Sequence, residues 1–242
     1  TKLANLHLVS TVLSRERVIK LGEEPDSVVL TGCPSIDIAA EVLRRPALDF
    51  DPFEKYGGVG PRGDLSGGYL VVMQHPVTTE CDEARQQVDE TLYAAKEFGQ
   101  PVLWFWPNVD AGSDGTSKGI RMFREQEKPE SFHFFRNMSP EDFLQLLCGA
   151  TAIVGNSSVA IRECSFLGVP AVNIGTRQLG RERGRNVIDV GHDRHAITGA
   201  IREHVRRGRP ATDVLYGDGR SGERIADALA RCELRIEKRL TY

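Results

Sequence analysis

From Gly68 onward the chain repeats one pattern: a short, nearly continuous apolar run, a polar turn, then a stretch with helical spacing. The runs are GYLVVMQH, PVLWFWPN, SFHFFRNM, TAIVGNS, PAVNIGT and NVIDVG. A strand with one face in water alternates apolar and polar residues, whereas a strand apolar on both faces belongs to a sheet covered on both sides. Such sheets are built from parallel strands joined by helices. Helices fit between the runs at about residues 80–98, 114–127, 140–149 and 158–167. This alternation, with short connections, predicts an α/β fold with a doubly wound parallel sheet.

Residues 1–51 form a different piece, with a strand at LHLVS, a helix near Arg15–Leu21, a strand at SVVLTG and a helix after Pro34. The segment from Tyr56 to Tyr69, YGGVGPRGDLSGGY, is rich in glycine and without period, so it reads as a surface loop or as a mobile junction between domains. Gly222 to Tyr242 reads as a C-terminal helix.

A length of 242 residues allows one large or two small domains with a full core. The net charge of −3, with 27% charged and 40% apolar residues, is ordinary for a soluble globular protein and argues against a nucleic-acid or membrane-surface binder. The five cysteines (Cys33, Cys81, Cys148, Cys164, Cys232) are widely spaced and contain no C-x-x-C, so neither a disulfide framework nor a zinc site is expected, and no metal. That usage suits a reducing cytosol, and a cytoplasmic location is the expectation. No apolar run reaches the ~18 residues that a membrane span needs. The first residue is Thr1 and the opening segment reads as mid-domain, which suggests that an N-terminal part is missing.

In an open parallel sheet, ligands bind beyond the carboxyl ends of the strands, where loops converge and helix N-termini point N–H groups outward. At one such end lies Gly155-Asn156-Ser157-Ser158. The serines there read either as helix caps or, with the helix end, as a cradle for an anion such as phosphate. Glu163, five residues beyond Ser158, falls a turn and a half along the same expected helix. Its carboxylate can accept hydrogen bonds from a ribose diol, or it can form a solvated charge pair with Arg162.

Arg177, in GTRQ, closes the next strand, where a guanidinium can grip a diphosphate. Arg181, Arg183 and Arg185 follow, and their roles stay open. His75 ends the first strand of the sheet, placed either as a structural residue or as one that titrates near neutral pH on the ligand side. Asn108, after Pro107, has the same location with an uncharged amide. GxxxxGK[ST] and GxGxxG are absent, which counts against NTPase and dinucleotide-dehydrogenase readings. Together the strand ends present polar groups suited to one nucleoside diphosphate.

The stretches QHPVTTE, PNVDAGS, VGNSSVAIRE, GVPAVNIGTRQLGRE and YGDG, with TKLANLH and TGCPSID upstream, resemble the hydrolysing UDP-N-acetylglucosamine 2-epimerase family over nearly the whole chain. The resemblance implies two Rossmann-like domains facing a cleft, the GT-B architecture. Residues 1–51 would then be the tail of a truncated N-terminal domain, 52–68 an interdomain linker, and 69–242 the UDP-binding C-terminal domain. It implies that His75 lies beside the phosphates and the reacting sugar, Asn108 in the cleft, and Met138 as a main-chain contact to uracil. Ser157 and Ser158 would hold phosphate, Glu163 ribose, and Arg177 the same pocket.

The implied reaction eliminates UDP to a glycal and then adds water, giving N-acetylmannosamine and UDP for sialic-acid-type sugar biosynthesis. No cofactor is needed. The carboxylates that move the C2 proton would belong to the missing domain, so the chain alone is expected to be inactive. A UDP-2,4-diacetamido sugar on a legionaminic-acid-type route is the alternative substrate. Readings from other classes are a non-catalytic UDP-binding module, and a GT-B glycosyltransferase, which QHPVTTE and GTRQLGRE argue against. The resemblance also implies a homo-oligomer, dimer or tetramer.

Overall fold

The computed structural model describes residues 1–233 and 238. The chain opens with β1 (His7–Val9), α1 (Val12–Lys20), β2 (Val28–Leu30) and α2 (Pro34–Leu43). β1 and β2 pair in parallel as a two-stranded sheet, with Leu8 opposite Val29. Thr11 starts α1 by accepting the Ser14 N–H on Oγ1 at 3.1 Å, and Pro34 starts α2, where its missing N–H costs nothing.

The glycine-rich stretch holds more structure than its composition suggests. It begins with α3 (Pro52–Tyr56), capped by Asp51, whose Oδ1 accepts from Phe53 N at 2.7 Å and Glu54 N at 3.2 Å. Val59 then pairs with Phe134 through two main-chain hydrogen bonds of 3.0 and 2.9 Å. The His133 ring faces the carbonyls of Gly57 at 2.9 Å and of Gly60 and Pro61 at 3.1 Å. These bonds fasten the segment along a sheet edge.

That sheet comprises β3 (Leu70–Met73), β4 (Val102–Phe105), β5 (Phe132–Phe135), β6 (Ala152–Gly155), β7 (Ala171–Ile174) and β8 (Val187–Val190), the six runs read from the sequence. All pairs are parallel, in the order β5-β4-β3-β6-β7-β8. The fold is therefore the expected Rossmann-like α/β sheet. Its order reverses between β3 and β6, the point where such sheets open a crevice.

Helices cover both faces, which is why the strands are mostly apolar, with His133, Asn173 and Asp189 as their polar positions. Leu70 and Val72 point to the side packed by α4 (Ala84–Phe98), α5 (Ser113–Glu127) and α8 (Arg194–Arg207). Val71 points the other way, into a cluster with α2, α6 (Pro140–Gly149) and α7 (Glu163–Leu167). Asp193 caps α8 through Ala196 N at 2.7 Å, a helix that the sequence reading had not placed.

Two expected helices differ at their starts. The stretch at 80–98 opens with a 3₁₀ turn, Thr78–Glu83, before α4. The stretch at 158–167 is broken: a 3₁₀ turn, Ser158–Ala160, is followed by α7, which begins only at Glu163. Arg162 lies between the two, still in the right-handed helical region with φ −93° and ψ −74°.

The C-terminal helix α9 spans Ser221–Arg231; of the expected helix to Tyr242, 234–237 and 239–242 lie outside the described residues. α9 is tied to the first segment, because Asp37 of α2 accepts from Ser221 N at 2.9 Å and Gly222 N at 2.6 Å. Among the described residues no helix is long and apolar enough to cross a membrane.

Candidate functional site

The crevice between β3 and β6 is built around Gly155 and Asn156. Gly155 ends β6 at φ +135°, and a side chain there would meet the Met73 carbonyl at 2.2 Å, so only glycine lets the two strand ends approach. Asn156 follows, fully buried. Its Oδ1 accepts from His75 N at 2.7 Å and its Nδ2 donates to His75 O at 2.8 Å. The Asn156 carbonyl accepts from Arg177 Nη1 at 3.2 Å and Gln178 Nε2 at 2.7 Å. One residue thus joins the ends of β3 and β6 to the loop after β7.

His75 is only 6% exposed. Its Nδ1 accepts from the Asn108 N–H at 3.1 Å, so the proton of the neutral ring sits on Nε2. Burial pushes its pKa down to about 4, with the nearby Arg177 charge adding to the shift and Asp110 opposing it. Arg177 lies 3.8 Å from Asp110 Oδ2, and burial lowers its pKa. His75, Asn108 and Arg177 are therefore brought together, with Asn156, Gln178 and Asp110 as partners that the sequence reading did not single out.

The serine turn continues from Asn156. Ser157 occupies the cap position of the 3₁₀ turn, but its side chain makes no capping hydrogen bond. The expected cap is therefore corrected, and with only a three-residue turn behind the serines the expected long-helix dipole is absent too. Ser158 Oγ instead accepts from Arg162 Nη2 at 3.2 Å. The same Nη2 donates to Glu163 Oε1 at 3.3 Å.

Glu163 is 5% exposed, so the solvated-pair reading of Arg162 and Glu163 does not hold. Its Oε2 is buried without a hydrogen-bond partner. A buried carboxylate oxygen left unpaired costs free energy unless a donor arrives.

Met138 stands apart, beyond β5 and two strands from β3, buried at 7% exposure within the cluster under α6. Of the three arginines left open, Arg183 is structural: its Nε donates to Asp189 at 2.9 Å and its Nη1 to the Gln178 carbonyl at 3.0 Å. Arg181 and Arg185 are exposed.

Asn156 and His75 are 81 positions apart, and no periodic pattern reports a main-chain clamp of that reach. The one available signal was the Gly-Asn pair closing an apolar run. A cavity of about 1100 Å³ opens elsewhere, lined by Glu23, Leu30, Arg224 and Lys238 among others, and holds none of the expected site residues. Among the described residues no group of three or more His, Cys, Asp or Glu side chains is placed to hold a metal ion.

A family model described as UDP-N-acetylglucosamine 2-epimerase matches residues 1–230. The UDP-N-acetylglucosamine 2-epimerase of Neisseria meningitidis serogroup B is 30% identical over 238 residues, covering 95% of this chain and 58% of that protein. The hydrolysing UDP-N,N'-diacetylbacillosamine 2-epimerase of Legionella pneumophila is 28% identical over 229 residues, with the same coverage of 95% and 58%. The chain thus spans 58% of the length of these two relatives. Among solved structures, the Neisseria meningitidis UDP-GlcNAc 2-epimerase bound to UDP-GlcNAc superposes with a TM-score of 0.72 at 16% identity, covering 95% of this chain and 62% of that one. That likeness is one of fold.

Proposed function

The chain belongs to the UDP-N-acetylglucosamine 2-epimerase family, and from that premise we propose that it is the UDP-holding portion of a hydrolysing UDP-N-acetylglucosamine 2-epimerase. The observation that carries the reading is the buried, unpartnered Oε2 of Glu163 beside the Ser157-Ser158 turn. A ribose hydroxyl supplies the donor that this oxygen lacks, and the diphosphate then falls to Ser157, Ser158 and Arg177. Met138 contributes a main-chain contact to uracil, and Asn108 lines the cleft.

In the proposed reaction a base removes the C2 proton, the electron pair forms the C1–C2 double bond, and the C1–O bond breaks with its electrons leaving on the UDP oxygen. Water then adds: C2 takes a proton on the opposite face, C1 takes hydroxide, and N-acetylmannosamine is released. The energetic burden on this chain is the charge gathering on the leaving diphosphate, which pre-oriented donors and cations stabilise best. The neutral His75 suits the part of a hydrogen-bond donor through Nε2–H to the leaving oxygen. Removal of the C2 proton is assigned to carboxylates in the part of the relatives' length that this chain does not span.

The Legionella relative supports a second substrate, a UDP-2,4-diacetamido sugar, with the same chemistry at C1 and C2. UDP binding to this chain is the direct test. Calorimetry is expected to show binding that Ser157→Ala and Arg177→Ala each weaken by about tenfold, the loss of one charge-assisted hydrogen bond. Absence of binding, or variants that bind as the parent does, would contradict the assignment.

A further inference from the structure

A diphosphate and a carboxylate repel each other, and a carboxylate buried as deeply as Glu163 gets little screening from water. Yet the proposed site sets both on one short turn, five residues apart. Arg162 bridges Ser158 and Glu163. Its Nη2 donates to Ser158 Oγ at 3.2 Å and to Glu163 Oε1 at 3.3 Å. Its Nη1 reaches Cys33 Sγ at 3.8 Å, which ties the guanidinium to the segment before α2. Its Nε is buried and has no acceptor. About a third of the Arg162 side chain remains exposed, at 31%, against 7% for Glu163, so the cation is the more accessible of the two charges.

Helical spacing makes this arrangement possible. Residue 162, between the 3₁₀ turn and α7, keeps right-handed helical angles (φ −93°, ψ −74°), and its N–H donates to the Ser158 carbonyl at 3.1 Å. Its side chain then reaches back four residues to Ser158 and forward one to Glu163.

We propose that Arg162 is a ligand-site residue whose guanidinium neutralises Glu163 toward the bound diphosphate, leaving the Glu163 Oε2 to a ribose hydroxyl. The inference rests on the UDP reading above and deepens it: a single cation lets one turn hold both ends of a nucleoside diphosphate. Arg162 acts on phosphate binding and leaves nucleoside binding almost unchanged.

The test is a calorimetric titration of the chain with UDP and, separately, with uridine, for the parent, Arg162→Met, Glu163→Gln and the double variant. Arg162→Met is expected to weaken UDP by roughly tenfold or more, while uridine changes by less than about threefold. Adding Glu163→Gln to Arg162→Met is expected to recover most of the UDP affinity, because the uncompensated charge is gone and the amide oxygen still accepts a hydroxyl. Arg162→Lys, which keeps the charge and disturbs packing least, is expected to preserve the ratio of UDP to uridine affinity. Equal losses for UDP and uridine in Arg162→Met, or a double variant no better than Arg162→Met, would overturn the inference while leaving the UDP reading intact. A parent chain that binds uridine but not UDP overturns both.

Discussion

At neutral pH the His75 imidazole carries no charge, because burial holds its pKa near 4 and Arg177 stands close by. This has a measurable consequence for stability. The unfolded ring titrates near 6.5 and the folded ring near 4, so between those values the unfolded chain binds more protons. The stabilisation is present above pH 6.5 and is lost as pH falls toward 4, at most about 3 kcal/mol for this one group. Denaturant unfolding followed from pH 7 to pH 4 is expected to show that slope, and His75→Asn is expected to flatten it; an unchanged slope in the variant would assign it to other groups. At this scale the sequence exposed which side chains stand at the strand ends and hid what holds them. Ser157, Ser158, Glu163 and Arg177 are visible as residue types at a turn, whereas the Asn156 clamp on the His75 main chain exists only once β3 and β6 are neighbours.

Elements were legible where the pattern is long and apolar. All six strands of the main sheet follow from their runs, since two covered faces leave few polar positions inside a strand. The 14-residue α8 and the five-residue α3 both escaped, although the three-residue β1 and β2 did not. The Asp51-Pro52 pair is a helix-start signal, but the glycines that follow mask α3. The apolar spacing through 158–167 looks continuous although the chain there divides into a 3₁₀ turn and α7.

α9 illustrates long-range capping. Its first N–H groups are satisfied by Asp37, 184 and 185 positions earlier, instead of by its own residue Arg220. Asp37→Ala is expected to destabilise the fold by about 1–2 kcal/mol and to speed hydrogen exchange in Ser221–Arg231 while leaving β4 and β5 protected. Equal acceleration in β4 and β5 would show that α9 and the sheet open as one unit.

For the molecule as a whole, the sheet order β5-β4-β3-β6-β7-β8 sets one switch point, and the polar strand ends gather there. The blocks TGCPSID and YGDG, distant in sequence, meet: Cys33 N donates to the Tyr216 carbonyl at 2.8 Å. Arg162 touches Cys33 in turn, so the first segment of the chain reaches the candidate site. That connection was not readable from either block alone.

The central claim concerns the reaction, and product analysis tests it most directly. The protein carrying this chain at full length, given UDP-N-acetylglucosamine in one reaction and a UDP-2,4-diacetamido sugar in another, is followed by NMR of the sugar products. The account predicts free N-acetylmannosamine and UDP in equal amounts from the first substrate, with release abolished in His75→Ala. Release of free sugar only from the diacetamido substrate would move the assignment to that sugar, and release from neither would contradict the account.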